Sequence, residues 1–171
     1  MQTTPKKGDT IATLTTNKGT IKMFFYTKLV PETTKNFLEL AKAGKYDGSI
    51  FHRVIDGFMI QGGDFEKKNG MGGYSYKGKG TYLKDELVKG LSHLRGAVSM
   101  AKTAMPDTAG SQFFIVNAQE GTTFLDGKHS IFGFVYEGMD VVDAIAKAEK
   151  DAYDMPLKDI VIKSVEIGIY E

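Results

Sequence analysis

Arg53 stands in the one segment whose residue types and spacing suggest chemistry, Phe51-His52-Arg53-Val54-Ile55-Asp56-Gly57-Phe58-Met59-Ile60-Gln61-Gly62-Gly63-Asp64-Phe65. A plain core strand would alternate apolar and polar residues, with little use for Gly62-Gly63 or for a guanidinium between Phe51 and Phe58. Taken alone, such an arginine more often covers apolar surface with its stem. With Phe58, Met59 and Gln61 beside it in sequence, the segment reads instead as a binding surface. Residues two apart in an extended chain share a face, and a turn at Asp56-Gly57 folds the second half back beside the first. The result would be a cation, an amide and apolar atoms at one mouth.

Other chemistries find little support. The chain has no cysteine, which excludes disulfides, thiolate catalysis and Cys-type zinc or iron–sulfur sites. His52, His93 and His129 are about 35 to 40 positions apart with no carboxylate at ligand spacing, so no metal and no cofactor is expected. Gly70, Gly72 and Gly73 do not complete a dinucleotide fingerprint, because Ser75 occupies its sixth position. Ser111 lacks the second glycine of a nucleophile elbow and reads as a turn serine. The net charge is +1 and the lysines are dispersed, so no nucleic-acid partner is expected. Apolar runs fall far short of the roughly 20 residues of a membrane helix, and no signal-type segment follows Met1, so a cytoplasmic protein is the expectation.

The elements that must position these residues are short. Thr10–Thr16 and Thr20–Tyr26 form a hairpin pattern around Asn17-Lys18-Gly19. Pro31 opens a helix over about 31 to 43 that Gly44 stops, and a second helix spans Met139–Lys147. Two strands fall within residues 50 to 65, others at Ala97–Ala101, Gln112–Val116 and Ile131–Tyr136, and a last one runs through Ile160, Ile162, Val165, Ile167 and Ile169. Asn69 to Gly80 reads as a long glycine-rich loop. At 171 residues the chain fits one domain that buries roughly 70% of its unfolded surface. Many short strands with only two helices argue for an antiparallel barrel or sandwich rather than a doubly wound sheet.

Three later segments complete the pattern: Ser99-Met100-Ala101-Lys102, Gly110-Ser111-Gln112-Phe113-Phe114-Ile115-Val116 and Phe124-Leu125-Asp126-Gly127-Lys128-His129. With the Arg53 segment they resemble the cyclophilins over nearly the whole chain, and the short loops resemble those of a prokaryotic single-domain member. The resemblance implies a mainly β fold, a closed antiparallel eight-stranded barrel capped by two α-helices. Residues 1–9 would be a flexible N-terminal segment and 10–171 the single domain. It implies peptidyl-prolyl cis-trans isomerase activity on proline-containing polypeptides, a role in protein folding with chaperone-like binding, and a monomer.

By resemblance, Arg53 is the catalytic arginine, with Gln61 and His129 in the catalytic set. Phe58, Met59, Phe114 and Leu125 match the proline pocket, while His52, Ala101, Lys102, Gln112 and Phe124 match the surrounding substrate-binding positions. Lys102 stands where well-known eukaryotic members carry asparagine, which would alter preference for charge near the proline. Phe124 stands where tryptophan is common. Phenylalanine keeps an apolar wall but loses the indole N–H, so cyclosporin-type cyclic peptides should bind with weakened affinity. A proline-peptide binding module without catalysis, and a small-ligand β-barrel carrier, are the alternative readings.

Overall fold

A computed structural model describes residues 1–171. Eight strands and two helices follow the order β1 (Thr10–Thr16), β2 (Gly19–Phe25), α1 (Pro31–Lys42), β3 (Phe51–Ile55), β4 (Met59–Gly62), β5 (Ala97–Met100), β6 (Phe113–Val116), β7 (Ile131–Glu137), α2 (Met139–Ala146) and β8 (Ile162–Ile169). The expected elements are present, with ends shifted by one or two residues. All strand pairs are antiparallel, and the sheet order is β3-β4-β6-β5-β7-β2-β1-β8. The outer strands meet through the Ile50–Val161 bridge and the Phe51 N–H bond to the Ile160 carbonyl at 3.0 Å. The sheet therefore closes on itself and leaves no long free edge.

Register sorts the side chains. Directly opposed residues of antiparallel strands point to the same face. Val54, Ile60, Ile115 and Val98 are paired in succession across β3, β4, β6 and β5, and all are fully buried inside the barrel. The adjacent row, Arg53, Gln61, Phe114 and Ser99, must then face outward.

Helix α1 presents Phe37 to the core, where its ring lies 4.9 Å from Tyr46, 5.4 Å from Phe113 and 5.6 Å from Phe132. Pro31 occupies its first turn, where a missing N–H costs nothing. At its other end Gly44 has φ +69°, and the bonds Gly44 N–H to Ala41 and Lys45 N–H to Leu40 form a Schellman stop. Val30 offers no side chain to cap the start. Glu86 does so from the long loop, its carboxylate accepting from the Thr33 N–H at 2.5 Å and the Thr33 hydroxyl at 2.7 Å. Helix α2 packs on β2, β3 and β4 through Val142 and Ile145. No helix is long and apolar enough to cross a membrane. Residues 1–9 hold no regular element; within them Gln2 accepts from the Tyr26 hydroxyl, and Gly8 N–H reaches the Tyr170 carbonyl.

Candidate active site

Arg53 is raised out of the barrel wall by β3 and sits opposite Gln61 on β4. The turn between these strands, with Gly57 at φ +77° and Phe58 N–H bonded to the Ile55 carbonyl, brings Phe58 to the same side. The guanidinium carbon lies 6.0 Å from the Phe58 ring centre. An outward concavity of about 290 Å³ opens here, lined by Phe58, Met59, Phe114 and Leu125, with Arg53, Gln61, Ala101, Lys102 and His129 around it. One apolar floor thus meets one guanidinium, one amide and one imidazole.

A chain of amides orients the guanidinium. Gln112 donates from Nε2 to the Gly70 and Gly72 carbonyls at 2.9 and 2.8 Å, so its Oε1 must face the other way. That oxygen accepts from Gln61 Nε2 at 2.9 Å, which turns Gln61 Oε1 toward Arg53 Nη1 at 3.4 Å. The loop carrying Gly70 and Gly72 is itself folded around the buried Asp64. Its carboxylate accepts backbone N–H bonds from Glu66, Lys67, Asn69, Gly70 and Gly72. Burial pushes the Asp64 carboxyl up, but the backbone N–H groups outweigh it and hold the group below its usual range.

His129 donates from Nδ1 to the Met100 carbonyl at 2.9 Å, the carbonyl having nothing to donate, which leaves Nε2 facing away from that bond. Its ring stands edge-on to Phe114 at 5.5 Å. Ala101 N–H is tied to the Gln112 carbonyl, whereas neither the N–H nor the carbonyl of Lys102 has a hydrogen-bond partner within the chain. A substrate backbone can pair with both.

Four expected residues, Lys102, Phe124, His52 and Gln112, sit differently from the simplest reading of the sequence. The Lys102 side chain is only 7% exposed; its ammonium turns to Asp85 at 3.5 Å and to the Met105 carbonyl at 3.2 Å. Its charge is therefore spent locally rather than offered to the groove. Phe124, on a 3-10 turn at Thr123–Leu125, is 63% exposed and packs at 6.0 Å on Phe58, so it forms the rim and Leu125 the floor. His52 is buried behind Arg53 with no partner for Nδ1. It and Gln112 line neighbouring concavities, not the central one.

Sequence reasoning missed the support beneath Phe114. His93 Nδ1 lies 2.7 Å from Asp126 and Nε2 2.9 Å from Ser99 Oγ, the spacing of a hydrolase triad. Yet Ser99 and His93 are 0% exposed, and Ser99 also bonds the Ser130 carbonyl, so no substrate carbonyl reaches the hydroxyl. The set is a scaffold: the His93 ring stacks on Phe114 at 5.8 Å, and Asp126 fastens the turn bearing Leu125 to Ser92 and His93. Burial pushes the His93 imidazole down despite the opposing pull of Asp126, which keeps it neutral near pH 7. No signal in the sequence joins residues 93, 99 and 126.

Comparison with known proteins decides the family. The family description "Cyclophilin type peptidyl-prolyl cis-trans isomerase/CLD" matches residues 11–167. The chain belongs to the cyclophilins. This cyclophilin is 43% identical over 156 residues to human peptidyl-prolyl cis-trans isomerase-like 1, covering 91% of each chain. It is 37% identical to a putative peptidyl-prolyl cis-trans isomerase of Staphylococcus aureus, covering 95% of this chain and 93% of that one. A crystal structure of a Cryptosporidium parvum cyclophilin superposes with a TM-score of 0.88 at 34% identity, over 95% of this chain and 99% of that one. A second crystal structure of that protein, in the presence of the dipeptide Ala-Pro, gives 0.85 at 36% identity, over 94% and 99%. The cyclophilin is thus an isomerase by family, with the barrel its sequence suggests.

Proposed function

We propose that the groove at Arg53 binds Xaa-Pro segments of polypeptides, the proline ring resting on Phe58, Met59, Phe114 and Leu125. The observation that carries this reading is the amide-oriented guanidinium beside an apolar floor of Phe58, Met59, Phe114 and Leu125.

Resonance gives the peptide C–N bond a rotation barrier of roughly 18–20 kcal/mol. Before proline the isomers differ by only about 0.5–1 kcal/mol and exchange over tens to hundreds of seconds, so a catalyst needs no energy source. During rotation the prolyl nitrogen becomes pyramidal and regains its lone pair. Arg53 donates a hydrogen bond toward that nitrogen, an interaction available only in the twisted state. The free N–H and carbonyl of Lys102 hold the backbone before the proline, so the other side of the bond turns. The step is non-covalent. Catalysed exchange assists the folding of proline-containing chains. Without an indole N–H at Phe124, cyclosporin-type cyclic peptides bind with weakened affinity.

The test is the cis-to-trans rate of an Ala-Pro peptide with wild type, Arg53→Ala and Arg53→Lys. Wild type should accelerate exchange, and both variants should lose about 10²–10³-fold, since an ammonium cannot reproduce the planar fork. Near-normal activity of Arg53→Lys would remove Arg53 from its role. Peptide binding by wild type with no acceleration would favour a pure binding module.

A further inference from the structure

The groove does not end at Arg53. A second concavity of about 450 Å³ adjoins it, sharing Arg53 and Gln61 with the proline pocket and walled by His52, Met71, Tyr153 and Met155. Tyr153 is 86% exposed and Met71 77% exposed, the two most exposed large apolar side chains of the molecule. Water-facing residues of this size are ordinary when scattered. Here both stand on one rim, beside the catalytic arginine.

The loop bearing Tyr153 is built rather than slack. Asp151 Oδ1 accepts from the N–H groups of Tyr153 and Met155 at 2.8 and 3.1 Å, and Asp151 N–H returns a bond to the Met155 carbonyl at 2.9 Å. Lys150 reaches Asp154 and the Val54 carbonyl, both at 2.9 Å, while Val54 N–H donates to the Asp154 carbonyl at 2.9 Å. The turn is thereby clamped to β3 at the residue after Arg53. A tyrosine on such a platform has only two side-chain torsions left to order, so a contact with it costs little entropy.

We infer that Met71, Tyr153 and Met155 form a subsite for an aromatic or large apolar side chain of the substrate polypeptide, carried two residues after the proline. This rests on the isomerase reading above. One observation, and the reading of the groove proposed above, select that occupant. The concavity is continuous with the proline pocket through Arg53 and Gln61, so a chain seated in one passes over the other. The open backbone groups of Lys102 take the segment before the proline, leaving the segment after it to leave across Arg53. An extended chain points every second side chain the same way, so the side chain two residues after the proline is the next to face the surface that holds Arg53 and Gln61. The site then discriminates by sequence context beyond the proline itself, in proteins that expose a proline followed by an aromatic residue.

The experiment compares kcat/KM for two otherwise identical proline peptides, one with phenylalanine and one with glycine two residues after the proline, using wild type, Tyr153→Ala and Tyr153→Phe. Wild type should favour the phenylalanine peptide by about three- to tenfold, the scale of one aromatic contact. Tyr153→Ala should lose that preference, and Tyr153→Phe, which keeps the ring, should retain it. Equal wild-type rates on the two peptides would overturn the subsite, as would a preference that Tyr153→Ala keeps. Failure of wild type to accelerate either peptide would instead sink the isomerase reading.

Discussion

Gln112 never touches Arg53, yet the direction of its amide sets that of Gln61 and so the acceptor that the guanidinium meets. Removing Gln112 should leave the proline pocket intact while freeing Arg53 to wander. Each such hydrogen bond is worth about 0.5–1.5 kcal/mol. Gln112→Ala should therefore lower kcat on an Ala-Pro peptide about two- to tenfold with little change in KM. The double variant Arg53→Ala/Gln112→Ala should be no slower than Arg53→Ala alone, because the orienting group would have nothing left to orient. Steady-state kinetics on the four proteins checks this; fully additive losses would mean that Gln112 acts elsewhere. Lys102 teaches the complementary lesson. Its position beside the groove was legible, but its pairing with Asp85 depends on a loop 17 residues away, so the direction of its charge was not.

At the scale of elements, α1 depends on a cap that its own sequence lacks. Glu86→Ala should remove both bonds to Thr33 and cost about 1 kcal/mol, lowering the melting temperature by about 2–4 °C in a chain of this size. Glu86→Gln, which keeps an acceptor but loses the charge at the helix start, should fall between, and thermal unfolding by circular dichroism ranks the three. The contrast shows what a single sequence carries. The strands β1 and β2 were readable from a period-two pattern around Asn17-Lys18-Gly19, and the β3–β4 pair from the turn at Asp56-Gly57, because these are local signals. The Arg53–Gln61 register was not readable: a two-residue turn at Asp56-Gly57 would set Arg53 opposite Ile60, whereas Phe58 also joins the turn, Ile55 pairs with Met59 and the register moves by one. Glu86 at α1, Asp126 beneath Leu125 and Asp64 inside its loop were not readable, because each is a carboxylate whose partners are chosen by tertiary geometry. Tyr153 was missed for the same reason: only the clamp to Val54 brings it beside Arg53.

The whole molecule should feel pH through groups it buries. Burial pushes the imidazoles of His52 and His93 below their ordinary value of 6.5. Below that value the unfolded chain binds protons that the folded chain refuses, so ν in the unfolded state exceeds ν in the folded one and stability falls as pH drops. Asp64, Asp126 and Asp143 lie below their ordinary 3.8, and the stability they contribute above it is lost as pH falls through their folded values. On the alkaline side burial raises the Tyr46 hydroxyl, which donates to the Ser111 carbonyl at 2.9 Å, above its ordinary 10.0. The unfolded chain then releases its proton first, and stability falls as pH rises past that value. Urea midpoints should therefore be highest between about pH 7 and 10, decline from pH 6.5 downward and steepen near pH 4. A His93→Gln variant should show a shallower decline between pH 6.5 and 5; an unchanged slope would mean that His93 is charged in the folded protein.

The ladder between β1 and β8 joins Thr10 to Ile169, almost the full length of the chain. During synthesis β1 and β2 emerge early with a hairpin ready to form, but the outer edge of β1 waits for the last strand to be made. The same strand region supplies Ile160 and Val161, which close the barrel onto Ile50 and Phe51. Folding of this barrel is thus gated by β8, and pairings of such long range place it among slow, topologically demanding folders. Until that strand arrives, the nascent chain carries an unpaired strand edge of its own, the kind of surface that invites association with other incomplete chains.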